Sequence, residues 1–181
     1  MQGSIGEELV CGYYKYIHNC DFVQKNLKIP NGEMDVAAIN LTDKIVYGAE
    51  VAIHLETGLA YTKNGRRVNT ERLVEKFLKN IPYIQERFPD FQHQFSLWSP
   101  IVKKSKRSNN ILSSQFDDVH EAKRIIESET GISIELIINE VFLEKIDELK
   151  NTVVDISSAI EDNVVLRYLQ LETKLRKFCN S

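Results

Sequence analysis

The stretch "GEMDVAAINLTDKIVYGAEVAIHL", residues 32–55, decides the fold. Two apolar runs, 34–41 and 45–55, flank the short polar break Thr42-Asp43-Lys44. Both read as strands, the second rich in Val and Ile, and the break has the composition of a turn. A third such run, 22–29, precedes them and ends at Pro30-Asn31-Gly32, a strong turn signal. Three strand-like runs joined by short polar turns predict an antiparallel meander.

Side chains alternate between the two faces of a strand. Glu33 and Asp35 therefore share one face, and Met34, Val36 and Ala38 the other. In the next strand Glu50, Ala52 and His54 share a face, opposite Ala49, Val51 and Ile53. Pairing through the Thr42-Asp43 turn brings Asp35 and Glu50 near one another on a polar face. Two carboxylates held close repel, and one pKa rises unless a cation neutralises them. A hard dication such as Mg²⁺ does this, while keeping waters and a substrate phosphate in its shell. It can also activate a water and stabilise charge on phosphorus. The bland alternative is two acids on the solvent face of a half-buried meander, and spacing alone does not separate the two readings.

Outward from the meander, Ser4-Ile5-Gly6-Glu7 has the form of a capping box and predicts a helix to about residue 19. Residues 56–68 read as a loop. Asn69 or Thr70 can cap a helix through residue 88, with Leu73, Phe77, Ile81 and Ile84 on its buried stripe. Residues 95–102 read as a strand, and 103–110 as a basic loop. Ser114 or Asp117 opens a helix that ends before Gly131. Residues 132–138 are a further strand. From about residue 142 the chain reads as helical, with a break near 155–163. The order α-βββ-α-β-α-β with a C-terminal helical tail predicts an α/β fold, a mixed β-sheet flanked by helices. The division expected is a core over 1–140 and a helical extension over 141–181.

With 43% hydrophobic and 27% charged residues, the 181-residue chain can build a real core. The net charge of −3 gives no bulk argument for nucleic acid, so such a surface needs locally clustered cations. No apolar run approaches the roughly 20 residues that span a bilayer, and no secretory signal is read at the N-terminus. Cys11, Cys20 and Cys179 lack metal spacing and read as reduced thiols, which points to a cytoplasmic protein without membrane partners.

The series Gly6-Glu7, Gly32-Glu33-Met34-Asp35-Val36 and Ala49-Glu50-Val51-Ala52 resembles the PD-(D/E)xK nuclease superfamily. It is closest in style to small members such as Holliday-junction-resolvase-like nucleases and related restriction endonucleases. The element order is also that of the restriction-endonuclease-like core, and the likeness covers about residues 4–138. It implies an endonuclease that uses Mg²⁺ or Mn²⁺ to cleave nucleic acid, DNA ahead of RNA. Asp35 and Glu50 would be the central metal ligands, joined by the carbonyl of Val51 and by Glu7, or by Glu8 if the helix is rotated by one residue. The departure is Ala52, where the family has a catalytic lysine. Alanine has neither charge nor donor, so this chain is expected to hold metal and substrate but to cut poorly or not at all. Three explanations stand open. A substitution introduced into an intact nuclease is favoured, because the acids persist. The others are a natural binding-only protein, and a lysine supplied from elsewhere, with Lys28 and Lys63 as sources.

Under the nuclease reading, Lys103, Lys104, Lys106 and Arg107 form one candidate phosphate-binding set, and Arg66 and Arg67 a second; the ordinary reading of each is a solvated loop. Ile146, Leu149, Val153, Ile156 and Ile160 give the tail an apolar side that can pack on the core or form a homodimer. Two other function classes compete: a non-catalytic nucleic-acid-binding module on the same fold, and a protein-interaction domain.

Overall fold

The computed structural model describes residues 5–105, 113–156 and 163–180. A first helix, α1 (Ile5–Tyr16), leads into the meander β1 (Phe22–Ile29), β2 (Gly32–Asn40) and β3 (Ile45–Val51). A small hairpin follows, β4 (Thr62–Lys63) and β5 (Arg66–Arg67), then α2 (Asn69–Arg87), β6 (Gln92–Ser99), α3 (Gln115–Thr130), β7 (Glu135–Ile138), α4 (Asn139–Val154) and α5 (Val164–Cys179). The main sheet has the order β1-β2-β3-β6-β7. Its first three strands pair antiparallel, and β6 and β7 join parallel to β3. The protein is thus α/β, with a mixed five-stranded sheet flanked by helices.

Parallel pairing of β3 with β6 requires a crossover, and α2 provides it. Leu73, Phe77, Ile81 and Ile84 face the sheet as their helical spacing predicts, and all four are buried. They form one apolar cluster with Val46, Ala52, Phe95 and Leu97. Opposite them, α1 and the tail helices close a second cluster around Val36, Ala38, Tyr47, Ala49 and Trp98. The Phe95 ring packs directly over Gly48, where a Cβ would lie only 2.8 Å from it.

Several boundaries depart from the sequence reading. Asn69 does not cap α2: its amide accepts from Tyr61 N–H and donates to the Leu59 carbonyl and Asp118, tying the preceding loop to α3. Ser114 does form a capping box, with Asp117, and Gly131 ends α3 in the left-handed region at φ 71°. Met34 lies in the cluster under α2 rather than with Val36 and Ala38. The β1–β2 ladder runs through Lys25–Val36 and Leu27–Met34 but skips Asn26 and Asp35 between them. Asn26 adopts φ 51°, and this break disturbs the simple alternation. Ser4 lies outside the described residues.

The helical tail packs on the domain. Leu149 and Val153 on α4 and Leu166 on α5 are buried with Val10 and Tyr13 of α1, and Ile146 and Ile156 pack against the same cluster. Ile160 lies outside the described residues. The expected boundary at 140 therefore falls inside α4, and the two parts share one core. Among the described residues no helix is long and apolar enough to cross a membrane. Leu149→Ala is expected to cost about 2–5 kcal/mol, because burial is lost and a cavity remains. Urea denaturation measures this, and a loss under about 1 kcal/mol would mean that α4 is only loosely attached.

Candidate functional site

Asp35 and Glu50 do meet, but on a covered face rather than an open one. Glu50 projects beneath α2 and has no exposed surface. Sequence reasoning placed these acids on a polar face because it could not know that the α2 crossover roofs it. The Lys76 ammonium descends from α2 between them. It pairs with Glu50 Oε2 and lies 3.3 Å from Asp35 Oδ2. Asn80, one turn further along α2, donates from Nδ2 to Glu50 Oε1. Both carboxylate oxygens of Glu50 are thus partnered from one helix.

Asp35 is fixed by the end of the sheet. Backbone pairing of β2 with β3 stops at Val36–Ala49. Beyond it the Asp35 carboxylate takes over, accepting the Val51 N–H at 2.8 Å. On the other side, the left-handed Asn26 turns its amide to Glu7 Oε2, at 3.1 Å. The sheet is open around Asp35 on both flanks, with side chains in place of ladder bonds.

The electrostatics follow from the count of charges: two acids, one base. Burial raises the Glu50 pKa to about 8, and the Asp35 charge adds to this, while Lys76 opposes it. Burial works against the charge on Lys76, but Glu50 and Asp35 outweigh it and hold the ammonium charged. A protonated Glu50 beside a charged Lys76 looks contradictory for an ion pair. It is consistent once Asp35 is included, because its charge raises the Glu50 pKa and also faces the Lys76 ammonium at 3.3 Å. Such a site carries one negative charge too many when fully ionised.

The cluster opens into a cavity of about 460 Å³ lined by Gly32, Glu33, Asp35, Arg72, Lys76 and Lys79, among others. Arg72 and Lys79 flank Glu75 at 2.8 and 2.7 Å, so α2 lines the cavity with paired charges of both signs as well as roofing the acids.

The other candidate residues lie elsewhere. Glu7 is held to Asn26, and Glu8 pairs with Lys25. Among the described residues no three acidic, histidine or cysteine side chains gather as a metal site. Ala52 is buried in the apolar cluster with Leu59, Leu73 and Phe77. Lys28 pairs with Glu33, Lys63 sits exposed on the β4–β5 hairpin, and neither reaches Glu50. Arg67 is bound to Asp118 at 2.8 Å and to the Ser113 carbonyl, which makes it a tie between the hairpin and α3. Arg66 pairs with Glu71 at 3.3 Å. Lys103 donates to the Glu56 carbonyl, and Lys104 lies over the Phe116 ring. Both leave β6 at the same end of the sheet as Glu50, outside the cavity lining. Lys106 and Arg107 lie outside the described residues. Sequence reading missed Arg72, Lys76, Lys79 and Asn80. For Arg72, Lys76 and Asn80 the signal was helical spacing one position before Leu73, Phe77 and Ile81 of the buried stripe.

Because the folded pKa of Glu50 is raised, its contribution to stability is full below the ordinary carboxylate range. It is lost as pH rises from there through about 8. Thermal melts of the protein between pH 5 and pH 8.5 are therefore expected to fall more than those of Glu50→Gln, which mimics the protonated acid. The difference should reach about 1–3 kcal/mol, or several degrees. Parallel melting curves for the two proteins would refute a raised pKa at Glu50. Comparison with protein-family models, curated proteins and solved structures finds no match to this chain.

Proposed function

We propose that this chain is a metal-dependent nuclease with a restriction-endonuclease-like core, in which Lys76 supplies the amine that the PD-(D/E)xK motif places at position 52. The observation that carries the reading is the Lys76 ammonium lodged between Asp35 and Glu50 beside a cavity whose lining mixes Arg72 and Lys79 with Glu33 and Glu75. The donor set suits a hard dication. It offers two desolvated carboxylates with more negative charge than one lysine cancels, and Mg²⁺ is commonly held by one or two carboxylates plus substrate phosphate. Asp35 and Glu50 would hold the ion, with the Val51 carbonyl as a further ligand. When bound, Mg²⁺ or Mn²⁺ supplies Lewis-acid stabilisation of the phosphoryl group and a more acidic attacking water.

The chain's own residues have separable tasks. Asn80 fixes the Glu50 carboxylate through Oε1. Glu50 would have to be ionised to serve as a ligand, so metal affinity is expected to rise with pH. The Lys76 ammonium stays beside the ionised acids, where it orients water and stabilises charge developing on the phosphoryl oxygens. Arg72 and Lys79 take backbone phosphates, replacing their pairing with Glu75. Ala52 packs in the core and needs no charge. DNA is placed ahead of RNA on the family resemblance alone.

A non-catalytic nucleic-acid-binding module is the second reading. It is favoured by the partnering of both Glu50 carboxylate oxygens by Lys76 and Asn80.

Cleavage assays with Mg²⁺ or Mn²⁺ on single-stranded, duplex and branched DNA, and on RNA, separate the two. The protein as it stands is expected to cut at least one substrate. Lys76→Met should lower the rate about 100-fold or more, and Asp35→Asn should abolish it. Ala52→Lys should lose stability by several kcal/mol, since it drives a charge into an apolar cluster. Salt-dependent binding without cleavage of any substrate would instead establish the binding module.

A further inference from the structure

The hairpin β4–β5 has a fixed base and a bare tip. At the base, the Arg67 guanidinium pairs with Asp118 at 2.8 Å, and both side chains are largely buried. Val68 N–H donates to the Tyr61 carbonyl, and Tyr61 N–H to Asn69 Oδ1. At the tip, Asn64 and Gly65 both adopt left-handed conformations, φ 50° and 73°, as the tightest hairpin turn requires. A Cβ on Gly65 would meet nothing within 4 Å. Lys63, Asn64, Gly65 and Arg66 are all exposed. The hairpin is thus held in place by its base while its tip is left to solvent.

The tip sets two cations side by side. Lys63 lies directly across from Arg66, so their side chains share a face. Like charges in that position oppose hairpin formation. Lys63 makes no ion pair among the described residues. Arg66 has Glu71 at 3.3 Å, with both side chains more than half exposed, a screened pair that exchanges readily. The other acids lining the cleft between the hairpin and α3 are occupied, Asp118 by Arg67 and Glu121 by Arg124. An anion laid on the tip would relieve the repulsion between Lys63 and Arg66.

Dimensions indicate which anion. Two residues per strand and the turn make a tip about 10 Å long, with strands about 4.8 Å apart. The major groove of B-form DNA, about 12 Å wide and 8.5 Å deep, admits a two-stranded ribbon, and the minor groove, about 6 Å wide, is too narrow for one with its side chains. Lysine, arginine and asparagine are also the side chains that bond purine edges in the major groove. The location fits as well. Arg66 meets Glu71, which precedes Lys76 by about 7.5 Å of helix rise. The residue after Glu71, Arg72, lines the cavity that holds Asp35 and Lys76. A ribbon centred in the groove has flanking phosphates roughly 6 Å to either side, half the groove width. We propose that hairpin β4–β5 enters the major groove of B-form duplex DNA while a flanking phosphate lies at the Asp35–Glu50–Lys76 site. The inference rests on the proposed reading of that site and adds a substrate class to it. Duplex RNA has a deep, narrow major groove that side chains cannot read, so the hairpin gives a physical reason to place DNA first.

Fluorescence anisotropy of the full chain with a mixed-sequence DNA duplex tests this, in EDTA so that metal-dependent cleavage is silent. Lys63→Ala with Arg66→Ala is expected to weaken binding about tenfold or more and to make its salt dependence shallower by about one to two. The thermal midpoint should not fall, because both side chains are exposed. Lys174→Ala with Lys177→Ala removes the same charge from α5, which packs on the other face of the sheet, and should bind like the unchanged protein. Glucosylated 5-hydroxymethylcytosine in place of cytosine fills the major groove without altering backbone charge, and should weaken binding as the hairpin variant does. Duplex RNA of the same sequence should bind about tenfold more weakly or worse. Equal binding to plain and glucosylated DNA overturns the inference, as does a hairpin variant that loses no more than the α5 variant. Preference for duplex RNA overturns it too, and so does no binding at up to about 100 μM duplex in low salt. Mg²⁺-dependent cleavage that the hairpin variant retains in full overturns the inference and leaves the nuclease reading standing. Hairpin-dependent binding to duplex DNA without cleavage supports the inference and removes the nuclease.

Discussion

The Lys76 ammonium is the interaction on which the centre of the molecule depends. β3 carries Glu50 to a place with no exposed surface, and β2 brings Asp35 beside it. Two carboxylates in such a place cannot both ionise without a cation, and an uncompensated buried charge costs several kcal/mol. α2 covers this part of the sheet only because it brings a lysine with it. The rotation of α2 is set twice over. Leu73, Phe77, Ile81 and Ile84 must face the apolar cluster, and Lys76 and Asn80 must face the acids. The same helix rotation satisfies both demands, which is how local choices come to agree on a single structure.

The sheet is adapted to this helix. An uninterrupted ladder would leave Asp35 as one more outward side chain on β2. Instead Asn26 takes a left-handed conformation, the β1 pairing lapses for one step, and the Asp35 carboxylate substitutes for a backbone carbonyl at Val51 N–H. Irregularities of this kind give up ladder bonds, and they recur where a side chain has to be re-aimed. Here they fix the position of an acid at the rim of the α2 cavity, with no loop needed to carry it.

Much of the fold was legible because it rests on short-range physics. The meander followed from three strand-like runs, the last rich in Val and Ile, with turn residues between them. The buried stripe of α2 and the Ser114 cap followed from spacing and side-chain chemistry. The pairing of Asp35 with Glu50 was legible too, from alternation along adjacent strands. What was not legible depends on which element covers which face. Lys76 looks like any solvated helix lysine until α2 is known to cross over Glu50. Arg67 looks like a loop cation until the hairpin is known to dock on Asp118. The skipped step at Asn26 leaves no mark in composition, and it is what moved Met34 to the α2 side.

Position 52 looks different once these pieces are combined. In the sequence, alanine after Glu50-Val51 reads as a deletion from an otherwise complete motif. In the structure, the same alanine lies in the apolar cluster with Leu73 and Phe77, where a lysine stem would displace α2 packing and bury a charge. A small apolar residue at 52 and a lysine at 76 are then two sides of one arrangement. The helix approaches because the strand offers no bulk, and because it approaches, it can deliver an amine to the acids from above. Under the proposed reading, the amine has moved from the strand to the helix while keeping its place beside the two carboxylates. Within the proposed reading, the departure at position 52 becomes the reason a site of this kind can be complete.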